Sequence, residues 1–173
     1  KLGQNHAYFN LGEGYCRLYE GEAEAAEAFF LKAAELNPDL TPARIGLATI
    51  YEEKNDENRL FVQLREILKR EPENSWAKPK YEELQGRITN NLIKEAIGLL
   101  NQNKKEEAQQ VLLKALFYSP ESREAHWQLA RLYRSEKKYD QAINHYQTLS
   151  QLAPNDRQIL REYAEILLEH DDL

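Results

Sequence analysis

Several residue types are scarce in this chain, and each scarcity excludes a class of protein. Cys16 is the single cysteine among 173 residues, which excludes an intrachain disulfide and a cysteine-based metal cluster. No apolar run approaches the roughly 18 residues of a membrane-spanning helix, so we expect no membrane insertion. Basic residues number 23 against 29 acidic ones, for a net charge of -6. An acidic chain without a basic tract is a poor candidate for binding nucleic acid, because that affinity comes mainly from Lys and Arg.

Methionine is absent altogether, and the chain begins at Lys1. We therefore expect a processed chain or a piece of a longer protein. The compartment stays unknown at this point: one cysteine is compatible with the cytoplasm, which we favour, and with the periplasm. Glycine and proline are also few, at 7 and 6 residues, whereas Ala, Leu, Glu, Gln and Lys are abundant. That composition predicts helix almost throughout.

The residue patterns of common catalytic sites are missing too. The sequence has no Gly-rich phosphate loop, no G-x-S-x-G nucleophile elbow and no H-E-x-x-H zinc motif. The four histidines lack metal-ligand spacing, and Cys16 is interpreted as a packing or groove thiol. Asp171 and Asp172 are interpreted as a solvated terminus. We therefore expect no enzymatic activity, no cofactor and no metal.

The prolines reveal an internal repeat. Four similar short segments each end in a proline, and the prolines are spaced by 34, 48 and 34 residues. They are Pro38, Pro72, Pro120 and Pro154. Small or apolar residues recur five, eight and twelve positions before each proline, which places them on one face of a helix. Because proline disfavours helix in the residue before it, each of these helices should end there.

A second helix precedes each of these helices, and a short polar turn joins the two. The turns contain Gly21, Asn55, Asn103 and Lys137. A small residue in the earlier helix should let the paired helices approach closely. These small residues are predicted to be Gly12, Ala48, Ala96 and Ala130.

This pattern resembles the tetratricopeptide repeat (TPR) family. Departures are Arg44 and Leu92 where the family favours Trp, Leu60 in place of a small Ala, and about two extra residues between Tyr15 and Gly21 in the first repeat. The resemblance covers roughly residues 7–72 and 89–154. The first repeat matches with Tyr8-x2-Leu11-Gly12-x2-Tyr15, Ala26-x3-Phe30 and Pro38; the last matches with His126 at the Trp place, Leu129-Ala130-x2-Tyr133, Ala142-x3-Tyr146 and Pro154.

The resemblance implies an all-α, right-handed α-solenoid of antiparallel helix pairs, with a concave groove that holds an extended peptide or a helix of another protein. We expect one solenoid over 1–173, built of about four repeats and a C-terminal helix. The predicted segments are repeats 7–40, 41–74, 89–122 and 123–156, an inserted helical segment 75–88, and a C-terminal helix 157–170 that caps the array or begins a fifth repeat.

The surplus of 14 residues between the second and third repeats has two interpretations. An apolar stripe from Tyr81 to Leu99 at spacings of three and four favours one long helix from about 77 to 101, with Ser75 as its cap. The alternative is a separate short helix that stops at Gly86, followed by a helix that begins near Thr89 or Asn90.

The resemblance places the groove on the first helix of each pair. One position on that helix is apolar in all four repeats. The helix turns that follow it carry acidic groups in the first repeats and arginine in the last repeat. The alternative is that these apolar residues only pack between neighbouring helices. Trp127 and Arg131 are the strongest individual candidates, because Trp and Arg are enriched at binding hot spots. The predicted partner-binding residues are Phe9, Glu13, Ile45, Thr49, Glu52, Ile93, Ile97, Trp127, Arg131 and Arg134.

The last helix carries a second apolar row that no later helix in this sequence would cover. Leu160, Leu167 and Leu168 are therefore predicted to be exposed or to mediate self-association into a homo-oligomer. The function that these observations favour is a non-enzymatic scaffold for protein–protein interaction that binds a protein or peptide partner. The alternatives are a self-associating structural protein and a substrate-recruiting arm of a larger enzyme.

Overall fold

The computed structural model of the chain describes the backbone of residues 2–171 and the side chains of residues 5–170. Helices and short turns make up this part of the chain, and it contains no strand. The predicted fold class, an all-α solenoid of antiparallel helix pairs, is confirmed. The side chains of Asp171 and Asp172 lie outside the described residues. The helices are α1 (Leu2–Tyr19), α2 (Ala23–Leu36), α3 (Thr41–Glu53), α4 (Glu57–Arg70), α5 (Ala77–Asn101), α6 (Lys105–Tyr118), α7 (Arg123–Ser135), α8 (Tyr139–Leu152) and α9 (Arg157–Asp171).

The chain divides into two compact units, Lys1–Leu84 and Gln85–Leu173. In the first, α1 packs on α2 and α3 on α4; in the second, α7 packs on α8, which also contacts α9. The repeat boundaries proposed from the sequence stay a prediction. The apolar residues counted back from each proline form the core, because their spacing of three and four puts them on one helix face. All of them are buried: Ala26, Phe30, Ala33, Leu60, Leu64, Ile67, Ala108, Leu112, Ala115, Ala142, Tyr146 and Leu149.

The surplus segment forms one helix. α5 runs over 25 residues from Ala77 to Asn101, as the preferred interpretation predicted. Gly86 lies inside it and does not have the left-handed backbone of a helix-terminating glycine. The cap differs from the prediction, because Asn74 rather than Ser75 accepts the hydrogen bond from the Ala77 N–H, at 2.9 Å.

Each turn within a helix pair contains one residue with a left-handed backbone. Gly21, Asn55, Asn103 and Lys137 have φ values of 80°, 53°, 60° and 58°. The first turn shows why: the Gly21 N–H donates to Leu18 O at 3.1 Å and the following N–H donates to Arg17 O at 2.9 Å. These bonds satisfy carbonyls at the helix end only when the intervening residue is left-handed.

Lys137 is the one residue of this set that is neither Gly nor Asn, so its turn should be strained. Left-handed backbone costs an ordinary L-residue about 1–2 kcal/mol, and glycine removes that cost but is more flexible when unfolded. We expect Lys137→Gly to raise the free energy of unfolding by about 0.5–1 kcal/mol in urea denaturation. Asn103→Gly should gain less, because Asn tolerates this conformation. A loss of stability in Lys137→Gly would contradict the prediction.

The first helix pair has a different register from the one that the sequence suggested. A Cβ at Gly12 would meet nothing within 4 Å, whereas a Cβ at Gly14 would lie 2.6 Å from the ring of Phe30. Gly14, and not Gly12, is therefore the small residue that lets α2 approach α1. Gly14 stands twelve residues before Ala26, the same spacing as Ala130 before Ala142. With this register the first repeat needs no extra residues.

Candidate functional site

The predicted hot-spot pair lies on α7, beside the first half of α9. The indole Nε1 of Trp127 donates a hydrogen bond to Glu162 Oε2 at 2.8 Å. The guanidinium of Arg131 lies over the same indole, 5.4 Å from the ring centroid. Trp127 is half-buried and Arg131 is exposed. The ring is thus held in place on one edge and carries an exposed cation on its face.

Glu162 is the buried acceptor that orders this region. It is 9% exposed and also accepts hydrogen bonds from Tyr146 Oη at 3.0 Å and Gln158 Nε2 at 3.2 Å. Burial alone would raise the pKa of Glu162, but the hydrogen bonds to its carboxylate outweigh burial and hold the pKa below its ordinary value. The carboxylate therefore stays ionised and fixes the indole from beneath the surface. The sequence did not single out Glu162, because one Glu among many on a helix gives no signal of burial.

A cleft of about 450 Å³ opens beside Trp127, between the first turns of α7 and α9. Its walls combine the indole and two aliphatic side chains with charged and amide groups at the rim, a mixture typical of sites that take a side chain of a peptide. The lining residues are Arg123, Glu124, Trp127, Leu149, Asp156, Gln158 and Ile159.

Arg134, also a predicted partner-binding residue, is engaged by α9. Its Nη1 lies 3.2 Å from Glu165 Oε2 and its Nε 3.1 Å from Glu169 Oε2. The hydrogen bonds that the guanidinium donates to Glu169 and Glu165 raise its pKa above the ordinary value. In this structure Arg134 holds α9 against α7 and does not present a free cation.

In the first unit, α3 supplies three of the predicted groove residues. Ile45 and Thr49 are half-buried one turn apart, and the Thr49 hydroxyl donates to Ile45 O at 3.0 Å. Glu52 is exposed and pairs with Lys80 Nζ at 2.5 Å. The Thr49 hydroxyl is thus directed to its own helix.

The corrected register changes the equivalent positions on α1. Phe9 is 63% exposed and Glu13 is half-buried. In the last repeat, Trp127 lies three residues before the small residue Ala130. The residue three positions before Gly14 is Leu11, and not Phe9. One turn later comes Tyr15, whose hydroxyl donates to Pro42 O at 3.0 Å, at the start of α3. Phe9 and Glu13 stay predicted residues, but Leu11 and Tyr15 match the other repeats better.

The last two predicted residues, Ile93 and Ile97, lie on the second half of α5. Ile93 is buried, at 7% exposure, and Ile97 is half-buried. Burial of Ile93 favours the packing alternative at that position.

Two histidines meet between α7 and α8, although the sequence gave no sign that they would pair. The Nδ1 atoms of His126 and His145 lie 2.8 Å apart, and His126 Nε2 lies 2.9 Å from Pro120 O. The Nε2 of His126 must therefore carry a proton, so we infer that its Nδ1 accepts the proton of His145 Nδ1 in the neutral pair. The ring of Tyr133 stacks on the ring of His145. The sequence did indicate burial of His126, which occupies the Trp place of the repeat.

This pair should make stability depend on pH. Burial and the neighbouring His126 lower the pKa of His145 to about 4. The unfolded chain binds that proton at about 6.5, so the contribution is complete above pH 6.5 and is lost as pH falls toward 4. We expect a loss of roughly 1–2 kcal/mol over this range, reduced by partial exposure of the ring.

The measurement is urea denaturation between pH 7 and pH 4 for the wild-type chain and for His145→Gln. The variant should show a shallower dependence on pH. The matched control is His6→Gln, on the exposed surface of α1. An equal change of slope in both variants would contradict the assignment to His145.

The described residues contain neither a candidate membrane span nor a candidate metal site. None of the helices in this part of the chain combines the length and apolarity needed to cross a bilayer. The side chains of residues 5–170 form no group of three or more His, Cys, Asp or Glu placed to hold a metal ion.

Comparison with known families decides the assignment. Two tetratricopeptide repeat models match the chain, one over residues 93–157 and 129–173 and the other over residues 6–40, together more than half of its length. The chain belongs to the tetratricopeptide repeat family. TPR folds generally mediate protein–protein interaction, and proteins built of these repeats are generally non-enzymatic scaffolds. Comparison with curated proteins found no match.

Several solved structures resemble this TPR chain at low identity. PilF of Pseudomonas aeruginosa is 22% identical, with 99% of this chain and 72% of that chain covered and a TM-score of 0.42. YrrB, described as a TPR protein with an unusual peptide-binding site, is 17% identical, with 94% and 76% covered and a TM-score of 0.44. A thermophilic TPR protein of Thermus thermophilus, TTC0263, is 19% identical, with 94% and 99% covered and a TM-score of 0.42. The family assignment rests on the repeat models and on the residue pattern.

Proposed function

We propose that this TPR chain is a non-enzymatic interaction scaffold that binds a peptide or helix of a partner protein in its groove, with the α7–α9 cleft as the principal contact. The observation that supports the proposal is the ordered indole of Trp127 at the wall of an open cleft. An aromatic ring held by a buried hydrogen bond loses little freedom when a partner covers it, so more of the contact energy appears as affinity.

The charges at the cleft indicate what the partner carries. Arg123 and Arg131 are exposed basic groups on α7, and the acidic groups Glu124 and Asp156 line the cleft beside Arg123. A partner segment with an apolar side chain for the cleft and an acidic group for Arg131 matches this arrangement. Ile45 and Thr49, in the first unit, stay predicted partner-binding residues of that unit.

Trp127 itself is a poor choice for a clean binding test. Its hydrogen bond to Glu162 means that Trp127→Ala should lower stability, so loss of binding would not separate contact from folding. The exposed arginines are better, because Arg123→Glu and Arg131→Glu reverse charge without removing a buried contact. Arg161→Glu is the matched control: Arg161 is an exposed arginine of α9 that does not line the cleft.

The experiment selects ligands from a displayed library of random twelve-residue peptides with the 173-residue chain as bait. Affinity is then read from Trp127 fluorescence in a Trp76→Phe background, which leaves Trp127 as the single tryptophan. Arg131→Glu should weaken binding about tenfold or more, and Arg161→Glu should change it less than twofold. Absence of any selected peptide, or equal effects of the two variants, would refute the proposed site.

A further inference from the structure

One face of α9 is apolar and exposed from Leu160 to Leu168. Leu160, Leu167 and Leu168 are 42%, 40% and 67% exposed, and the small Ala164 between them is exposed as well. The opposite face packs inward through Ile159, which is 7% exposed, and Ile166, which is fully buried. The exposed row is therefore separate from the residues that attach α9 to α8.

The equivalent residues of the preceding repeat show what packs against such a row. Thirty-four residues before Leu160, Ala164 and Leu167 stand His126, Ala130 and Tyr133 on α7. Those three residues are 8%, 0% and 5% exposed, and the helix pair α7–α8 is formed there. In α7 the small Ala130 lets the antiparallel α8 approach. The row on α9 thus has the composition of a face that receives an antiparallel helix.

The sequence of α9 is suited to packing against a second copy of α9. Leu160 lies four residues before Ala164 and Leu168 lies four residues after it. Two antiparallel copies centred on Ala164 therefore place each Leu160 opposite a Leu168. The exposed Arg157 and Arg161 lie in the first half of α9. Glu165 and Glu169, which also pair with Arg134 of their own chain, lie in the second half. An antiparallel second copy brings the basic half of one helix against the acidic half of the other, whereas a parallel copy brings like charges together.

We propose that two copies of this chain associate through α9, in antiparallel register about Ala164. Leu160 of one protomer then contacts Leu168 of its partner, and the two alanines meet at the two-fold axis. Each α9 takes, for the other protomer, the place that α8 has beside α7. The covered surface is one helix face, smaller than the roughly 800 Å² per partner of a stable complex, so the dimer is weak and depends on concentration.

The test measures mass by sedimentation of the 173-residue chain from micromolar to millimolar concentration. The wild-type chain should move from 20.3 kDa toward twice that mass. Leu160→Glu and Leu168→Lys should each weaken association about tenfold or more, because each places a charge against a leucine of the partner. An equimolar mixture of the two variants should recover association, because the introduced carboxylate of one protomer then faces the introduced ammonium group of the other.

The matched control is Leu113→Glu on α6, a leucine that is 44% exposed away from α9. It should associate like the wild-type chain, and circular dichroism should show all variants to be folded. A wild-type chain that stays monomeric at millimolar concentration overturns the proposal, which would leave another protein's helix as the occupant of this face. Association that survives Leu160→Glu, or a mixture that fails to recover it, overturns the antiparallel register.

Discussion

Gly14→Ala should lower the free energy of unfolding by about 1–3 kcal/mol, whereas Gly12→Ala in the same helix should raise it by about 0.5–1 kcal/mol. The opposite signs follow from the surroundings of the two glycines. A Cβ at Gly14 would lie 2.6 Å and 2.7 Å from two ring atoms of Phe30, while a Cβ at Gly12 would meet nothing within 4 Å. Both substitutions improve helix propensity, so the difference between them isolates the clash.

The ring of Phe30 has little room to move aside, because Gly46 of α3 also lies against it. A Cβ at Gly46 would also lie 2.6 Å from the ring, and Phe30 is fully buried. Gly14→Ala combined with Gly46→Ala should therefore cost more than either change alone. The measurement is urea denaturation, and Phe30→Leu provides the internal check. Gly14→Ala should cost less in that background, because the smaller side chain leaves space; an unchanged cost would contradict the explanation.

The second large effect is expected at Glu162. Glu162→Ala should lower the free energy of unfolding by about 2–4 kcal/mol, because it leaves the Trp127 N–H and the Tyr146 hydroxyl without their acceptor in a buried place. Glu162→Gln keeps one acceptor oxygen and should cost less. Glu165→Ala is the control on the same helix: its carboxylate is 45% exposed and pairs with arginines, so its loss should cost less than about 1 kcal/mol.

Acid should remove the same contribution in the wild-type chain. Because the pKa of Glu162 is lowered in the folded state, its contribution is present above the ordinary glutamate pKa. The contribution is lost as pH falls through the lower folded value. Stability curves of wild type and Glu162→Gln should converge at low pH. Equal costs for Glu162→Ala and Glu165→Ala at neutral pH would show that Glu162 is an ordinary surface carboxylate.

The helices and their buried faces were predictable because two local rules determine them. Proline marks the helix ends, and spacings of three and four mark the face of residues such as Leu64 and Leu112. The register of the first pair was mistaken because Gly12 and Gly14 both satisfy the pattern of small residues. Only the position of the Phe30 ring distinguishes them, and that position depends on packing between helices.

The site was predictable as a helix face but not as a set of contacts. Trp127 and Arg131 lie together on α7, as their spacing of four predicts. The acceptor of Trp127 is Glu162, 35 residues later, and no local pattern connects them. For the same reason the sequence placed Arg134 among the partner-binding residues and gave no sign that Glu165 and Glu169 bind it in the folded chain.

The attachment of α9 by carboxylates also sets the order in which the protein comes apart. Two isoleucines bury its apolar side, but Glu162, Glu165 and Glu169 supply the hydrogen bonds and ion pairs to α7. The pKa of Glu169 is lowered by Arg134, so acid weakens this contact as it weakens that of Glu162. As pH falls below the ordinary glutamate pKa of about 4.3, where the attachment of α9 begins to weaken, amides of α9 should exchange with solvent and become accessible to proteases before those of α7 and α8. The wall of the α7–α9 cleft is then the first structure to open, and a ligand seated there would slow that exchange.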